Sequence, residues 1–180
     1  MSLANKISLL RILLAPCIVA SLVYYQPDRE ALRLVALALF VVGMLSDALD
    51  GLIARSQHQQ SKLGTILDPL ADKFLILSTL ISLSTIRALP EWMRIPAWFN
   101  LIVISRDVVL VAGTLLVVGF TNQWPVRPSR LGKWTVLVQM LVIPMALLGL
   151  PGKSEMLLAA AALTVLSGIG YLRMGIKLLS

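Results

Sequence analysis

Residues 47–72 read DALDGLIARSQHQQSKLGTILDPLAD. Asp47, Asp50, Asp68 and Asp72 fall in this stretch, four of the nine acidic residues in a chain of 180. Apolar runs flank it on both sides, each near the ~20 residues that a helix needs to cross a bilayer. A carboxylate in or beside hydrocarbon is costly, so an acid in such a place marks a functional site. On a helix, positions 47, 50, 51 and 54 share one face, at i, i+3, i+4 and i+7. Positions 64, 68 and 72 share a face in the same way. Two helices joined by the polar segment 56–61 therefore aim four carboxylates at one point. Four such groups cannot all stay ionised without a cation among them. Oxygen donors favour Mg2+ or Mn2+ over Zn2+, which prefers histidine or cysteine. Two such ions can clamp a phosphoryl group. Gly51, Ala54 and Gly64 lie on the same faces and leave room for close helix approach and for a ligand against the backbone. Arg55, beside the cluster, has a guanidinium suited to a pyrophosphate. The competing reading is a proton relay or a polar packing contact. It suits one or two membrane aspartates better than four in this register.

The rest of the chain agrees with a membrane setting. Hydrophobic residues make up 58% and charged residues 14%, and the mean hydropathy is +0.86. A water-soluble domain of this length could not bury that much apolar surface, so the expected fold is all-α, a polytopic integral membrane protein. The formal net charge of +7 would suggest nucleic acid in a soluble protein; here it points to anionic lipid headgroups and excludes nucleic acid as partner. Cys17 is the sole cysteine, so no intrachain disulfide or cysteine metal cluster forms. The stretch 14–17 resembles a lipoprotein cleavage box, but Pro16 and Arg11 argue against processing; Cys17 reads as a packed thiol in the first helix.

Six apolar segments are expected as transmembrane helices, over 7–25, 31–53, 65–87, 96–120, 132–150 and 155–178. The breaks carry Pro27, Pro90, Pro125, Pro151 and Gly152. No internal repeat and no linker marks a second domain. With both termini in the cytosol, that side collects Lys6, Arg11, Arg55, Lys62, Arg127, Arg130, Lys133, Arg173 and Lys177. The other side has Arg29, Arg33, Arg87, Arg94 and Lys153. The positive-inside rule selects this orientation and puts the aspartates at the cytosolic end of the second and third helices. Trp92, Trp98, Trp124 and Trp134 lie near span ends, as in an aromatic belt.

The stretch 47–72 resembles the signature of the CDP-alcohol phosphatidyltransferase family, D-x2-D-G-x2-A-R-x8-G-x3-D-x3-D, with every fixed position present and no insertion. Asn5, Ser8 and Arg11 are similar to the family's N-x-x-T-x-x-R opening, with serine for threonine. The resemblance extends over residues 1–180 as one membrane domain. It implies a homodimer of six-helix chains in a bacterial inner or cell membrane, with the active site facing the cytoplasm. It implies that Asp47, Asp50, Asp68 and Asp72 bind two metal ions, Mg2+ or Mn2+, and that Asp72 is also the catalytic base. Asn5, Ser8, Gly51, Ala54, Arg55, Ser61 and Gly64 would bind CDP-diacylglycerol. The implied reaction moves a phosphatidyl group from CDP-diacylglycerol to an alcohol and releases CMP.

The acceptor is read from the remaining cations. Arg106 lies inside the fourth apolar segment, and Arg127, Arg130 and Lys133 crowd the start of the fifth. Arg106, Lys133 and Arg130 suit an acceptor that itself bears phosphate. The bland alternatives are an Arg106–aspartate ion pair and a solvated, headgroup-binding loop. Glycerol 3-phosphate enzymes of this family typically have Arg-Glu in the fourth span and Gly-Lys-x-Lys-Thr before the fifth. This chain has Arg106-Asp107, more like the eukaryotic-type cardiolipin synthases that use phosphatidylglycerol. It also has Gly132-Lys133-Trp134-Thr135, which keeps the Gly-Lys but lacks the second lysine. Glycerol 3-phosphate is favoured as the commoner acceptor in this small architecture. A small transporter or channel is the alternative from another class. It predicts repeats and broken helices and gives no reason for small residues in register with the acids. His58 reads as solvated.

Overall fold

The computed structural model describes the backbone of residues 3–57, 62–121 and 130–179, and side chains over 7–46, 70–116, 119, 131–174 and 176. Six helices form its framework: α1 (Leu3–Val23), α2 (Glu30–Gln57), α3 (Lys62–Thr85), α4 (Ala97–Thr121), α5 (Arg130–Leu148) and α6 (Lys153–Leu179). The all-α expectation holds, and each helix matches one expected segment. Most ends run past the apolar limits. α1 begins at Leu3 and takes in Asn5 and Ser8, while α2 continues to Gln57 and includes Arg55. Hydropathy stops at the first polar residues, whereas arginine, lysine and glutamine are good helix formers and let the helix continue. At 28 residues, α2 is about 42 Å long at 1.5 Å per residue, more than the ~30 Å of a hydrocarbon core.

Three described helical stretches are long and apolar enough to cross a membrane: Ala97–Leu116, Leu131–Leu148 and Lys153–Met174. Ile7–Val23 is apolar and a little shorter. Only 28% of the α4 stretch is buried within the chain, so its outer face, with Leu101, Val108, Val111 and Leu115 exposed, needs an apolar surround. Trp92, Trp98 and Trp134 are each exposed by more than 40% and sit near helix ends, where amphipathic rings belong at a membrane interface. Trp124 lies outside the described residues. Cys17 is in α1, as expected, but on its outer face and exposed rather than packed.

Two compact units are distinguished. The first comprises Met1–Ile95 with Ala146–Gly149, the second Pro96–Met145 with Leu150–Ser180. In the first, α1 is central: it packs on both α2 and α3, which touch each other far less. Its inner stripe is Ser8, Arg11, Ala15, Ile18 and Leu22, all wholly buried, at the three-and-four spacing of one helix face. α2 answers with Ala36 and Phe40, and α3 with Ala71, Leu75, Ile76, Thr79, Leu80 and Leu83. The chain beyond α3 is pinned by Ile95, whose N–H donates to the Leu83 carbonyl at 3.1 Å.

The last turn of α5 closes with Gly149 at φ 63°. Gly149 N–H donates to Ala146 O at 3.3 Å and Leu150 N–H to Met145 O at 3.0 Å, a Schellman ending that satisfies two orphan carbonyls. Arg33 adds a further donor, Nη1 to Leu147 O at 3.4 Å, where the helix dipole favours a cation. The same guanidinium pairs with Glu30 at 3.2 Å and lies over the Trp92 ring at 5.3 Å.

In the second unit a polar seam runs between apolar helices. Gln139 Nε2 donates to Thr164 Oγ1 at 2.8 Å, and Thr164 Oγ1 donates to Ala160 O at 2.6 Å. Thr135 Oγ1 lies 3.2 Å from Leu163 O across the α5–α6 contact. Such bonds fix helix register where the surround offers no competing water.

Candidate active site

The site begins with two stripes that change character at one end of the first unit. Along α2, Ala36, Phe40 and Gly43 are buried. In the same register follow Asp47, Asp50 and Ala54, with Gly51 and Arg55 on the adjoining positions of the helix. Along α3, the buried Leu83, Thr79 and Leu75 lead back to Asp72 and then to Asp68 and Gly64. The aspartate positions continue, in register, the buried positions of α2 toward its C-terminus and of α3 toward its N-terminus. The periodicity that predicts convergence of four carboxylates is the one that builds the core.

Gly43 shows how close the two helices come. A Cβ placed there would meet Leu75 Cδ2 at 2.6 Å and Leu14 Cδ1 at 3.6 Å. A small added group needs the Leu75 side chain to turn away, and a large one presses on α3 at a point one turn before Asp47 and one turn from Asp72. Ala71, beside Asp72, is wholly buried. Asp72 itself is part-exposed, with Oδ1 buried.

Of the other expected site residues, Ser8 is wholly buried on the inner stripe of α1. The side chains of Asn5, Asp47, Asp50, Gly51, Ala54, Arg55, Gly64, Asp68 and Arg130 lie outside the described residues, as do Ser61 and His58 altogether. Their helical positions are described, apart from Ser61 and His58. Among the described residues no cluster of three metal-ligating side chains occurs; three of the four aspartates are outside that set.

Lys133 lies on the exposed side of α5, opposite the buried Gly132, Thr135 and Gln139. Arg106 is 8% exposed on α4. Its Nη1 donates to Asp107 Oδ1 at 2.9 Å and its Nη2 to Ser167 Oγ at 3.1 Å, and the guanidinium lies 5.7 Å from the centre of the Tyr171 ring. It lines an apolar groove of about 340 Å³ between α4 and α6, with Leu101, Ile102, Val165, Gly168 and Ile169.

Residues 1–167 match the family model described as CDP-alcohol phosphatidyltransferase. The chain belongs to the CDP-alcohol phosphatidyltransferase family. Within that family it is similar to the probable phosphatidylglycerophosphate synthase of Mycobacterium tuberculosis, 31% identical over 181 residues, covering 98% of this chain and 82% of that protein. It is also similar to the CDP-diacylglycerol–glycerol-3-phosphate 3-phosphatidyltransferase of Haemophilus influenzae, 30% identical over 172 residues, 93% of this chain and 89% of that protein. Human cardiolipin synthase (CMP-forming) is 37% identical over 117 residues, 64% of this chain and 35% of that protein. As a member of this family the chain is an enzyme of phosphatidyl transfer.

Sequence reasoning missed Arg11 as a core residue. Charge counting gives only its side of the membrane; it is among the largest wholly buried side chains. Its spacing from Ser8 and Ala15 places it on the inner stripe, a signal that periodicity offered and charge counting overrode. Ser167 and Tyr171 carried no signal of their own.

Proposed function

We propose that this enzyme transfers the phosphatidyl group of CDP-diacylglycerol to glycerol 3-phosphate, giving phosphatidylglycerophosphate and CMP. The observation that carries the transfer chemistry is the unbroken signature over residues 47–72, whose fixed positions belong to α2 and α3. The choice of acceptor is supported by the relatives named for it, which align with nearly the whole chain. The four carboxylates form an all-oxygen donor set that fits two Mg2+ or Mn2+ ions. Bound there, the ions would neutralise the pyrophosphate and the charge that develops in transfer. Asp47, Asp50, Asp68 and Asp72 would hold them. Asp72 would also take the proton of the acceptor hydroxyl. The hydroxyl oxygen then bonds to the phosphorus that bears diacylglycerol, and the bond from that phosphorus to the CMP oxygen breaks. Arg55 would steady the departing CMP, and Asn5, Ser8, Gly51, Ala54, Ser61 and Gly64 would seat the nucleotide. Arg106, Lys133 and Arg130 would take the acceptor's phosphate. Positioning and fixed charge supply most of the rate in phosphoryl transfers of this kind. We propose further that six helices span the membrane, that the site faces the cytoplasm, and that the chain works as a homodimer.

A second reading has its own observation. The groove beside Arg106 is lined by aliphatic side chains and lies between two helices able to cross a membrane. A lipid acceptor, phosphatidylglycerol, would fit such a surface, and the product would be cardiolipin. Purified enzyme given labelled CDP-diacylglycerol with glycerol 3-phosphate, phosphatidylglycerol, inositol phosphate or serine decides the acceptor. Phosphatidylglycerophosphate formed with glycerol 3-phosphate alone is the expected result. Cardiolipin formed only with phosphatidylglycerol would replace it by the second reading, and absence of CMP release with every acceptor would overturn both.

A further inference from the structure

We infer that Ser167 and Tyr171 on α6 are positioning residues for Arg106, fixing the guanidinium that meets the acceptor's phosphate; the inference rests on the acceptor role proposed for Arg106. Arginine presents five N–H donors in a rigid fork on a long flexible stem. A charge that must recognise a phosphate gains from being held before the ligand arrives. Arg106 is held from two helices. Asp107 takes Nη1 at 2.9 Å from its own helix, and Ser167 takes Nη2 at 3.1 Å from α6. The Tyr171 ring, one turn further along α6, lies against the cation at 5.7 Å, within the range of a cation–π contact. Gly168 lies beside the Arg106 stem, where an added Cβ would come into ordinary contact with Arg106 Cγ at 3.6 Å. Ser167 is 2% exposed, so no water competes for its hydroxyl.

The clamp engages Nη1 and Nη2 and does not use Nε. Arg106 Nε is buried and has no hydrogen-bond partner among the described residues. A buried donor of a charged group without a partner is destabilising, and an anionic oxygen would satisfy it. Asp107 neutralises the cation's formal charge at one edge, while Ser167 and Tyr171 are uncharged and restrain it without cancelling more of that charge.

The test uses the full-length enzyme in lipid–detergent micelles, with initial rates measured against each substrate in turn. Ser167→Ala should raise the acceptor KM about tenfold, as loss of a hydrogen bond to a charged group does. The CDP-diacylglycerol KM should stay at its wild-type value. Tyr171→Leu should raise the acceptor KM about threefold, and Tyr171→Phe, which keeps the ring, should restore it. In an Arg106→Ala background neither change should add anything, because both act through that residue. Equal rises in both KM values, additivity on Arg106→Ala, or a phenylalanine variant no better than leucine would each overturn the inference. Arg106→Ala with an unchanged acceptor KM would overturn the acceptor role itself, and the inference with it. A raised acceptor KM in Arg106→Ala, with wild-type values in Ser167→Ala and Tyr171→Leu, would overturn the inference alone. Should Ser167→Ala not fold, the Tyr171 pair of variants still decides.

Discussion

The aspartates differ from the other charged residues of this chain in what their removal should cost. Asp68→Asn keeps shape and helix but removes the charge a divalent ion needs. Turnover should fall by at least about 10²-fold, the scale of losing one fixed electrostatic contact to a transition state, with little change in thermal stability. CMP release from CDP-diacylglycerol is the measurement, and wild-type turnover in Asp68→Asn would end the two-metal reading. Removal of metal with a chelator should abolish activity. Mg2+ or Mn2+ should restore it and Zn2+ should not, because the donors are all oxygen. Activity that persists in the chelator would exclude a metal-dependent transfer. The four acids stand out in the sequence because carboxylates are rare in apolar sequence and their spacing is regular. The burial of Arg11 was not legible from charge counting, which assigns a residue to a side of the membrane without regard to which helix face carries it.

Helices here are positioned by small residues at a few contacts. Gly43 keeps α2 against Leu75 and Leu14, next to the two stripes that end in Asp47 and Asp72. Gly43→Leu should push the carboxylate-bearing ends of α2 and α3 apart. Displacement of reacting groups by about 1 Å costs on the order of 10²-fold, so kcat should drop by at least about tenfold while the folded protein is still recovered. Recovery with normal kcat would show that the helix spacing tolerates the side chain. Gly149 has a different constraint, since its φ of 63° is a left-handed conformation and an added Cβ would lie 2.9 Å from Trp92 Cε3. Gly149→Ala should destabilise by about 1–2 kcal/mol from backbone conformation alone. That corresponds to a Tm lower by roughly 2–8 °C for a chain of this size, with the KM for CDP-diacylglycerol unaltered. A Tm equal to wild type in a scanning-fluorescence experiment would refute the role given to this turn. The existence and order of the helices were plain from hydropathy. Their true ends were not, because a helix continues through polar residues that a span would exclude.

At the scale of the molecule, the distribution of lysine and arginine is the basis of the proposed orientation. With Cys17 replaced, a single cysteine at position 58 should react with a membrane-impermeant reagent only from the cytosolic side. One at position 153 should react only from the opposite side. Labelling of both from one side would reject the six-span topology with cytosolic termini.

Composition and spacing alone determined that this is a helical, apolar chain with four aspartates on two consecutive helices, and the signature they spell places it in its family. These features are local: hydropathy is a sum over neighbours, and a helix face is a rule about positions three and four apart. The burial of Arg11, the approach of Gly43 to Leu75, the Arg33–Trp92–Gly149 contact and the clamp of Ser167 and Tyr171 on Arg106 were decided only by the tertiary structure. Each joins residues brought together by helix packing. An amphipathic or uniformly apolar helix does not record which neighbour it will meet, or at what register, so no reading along the chain could have paired them.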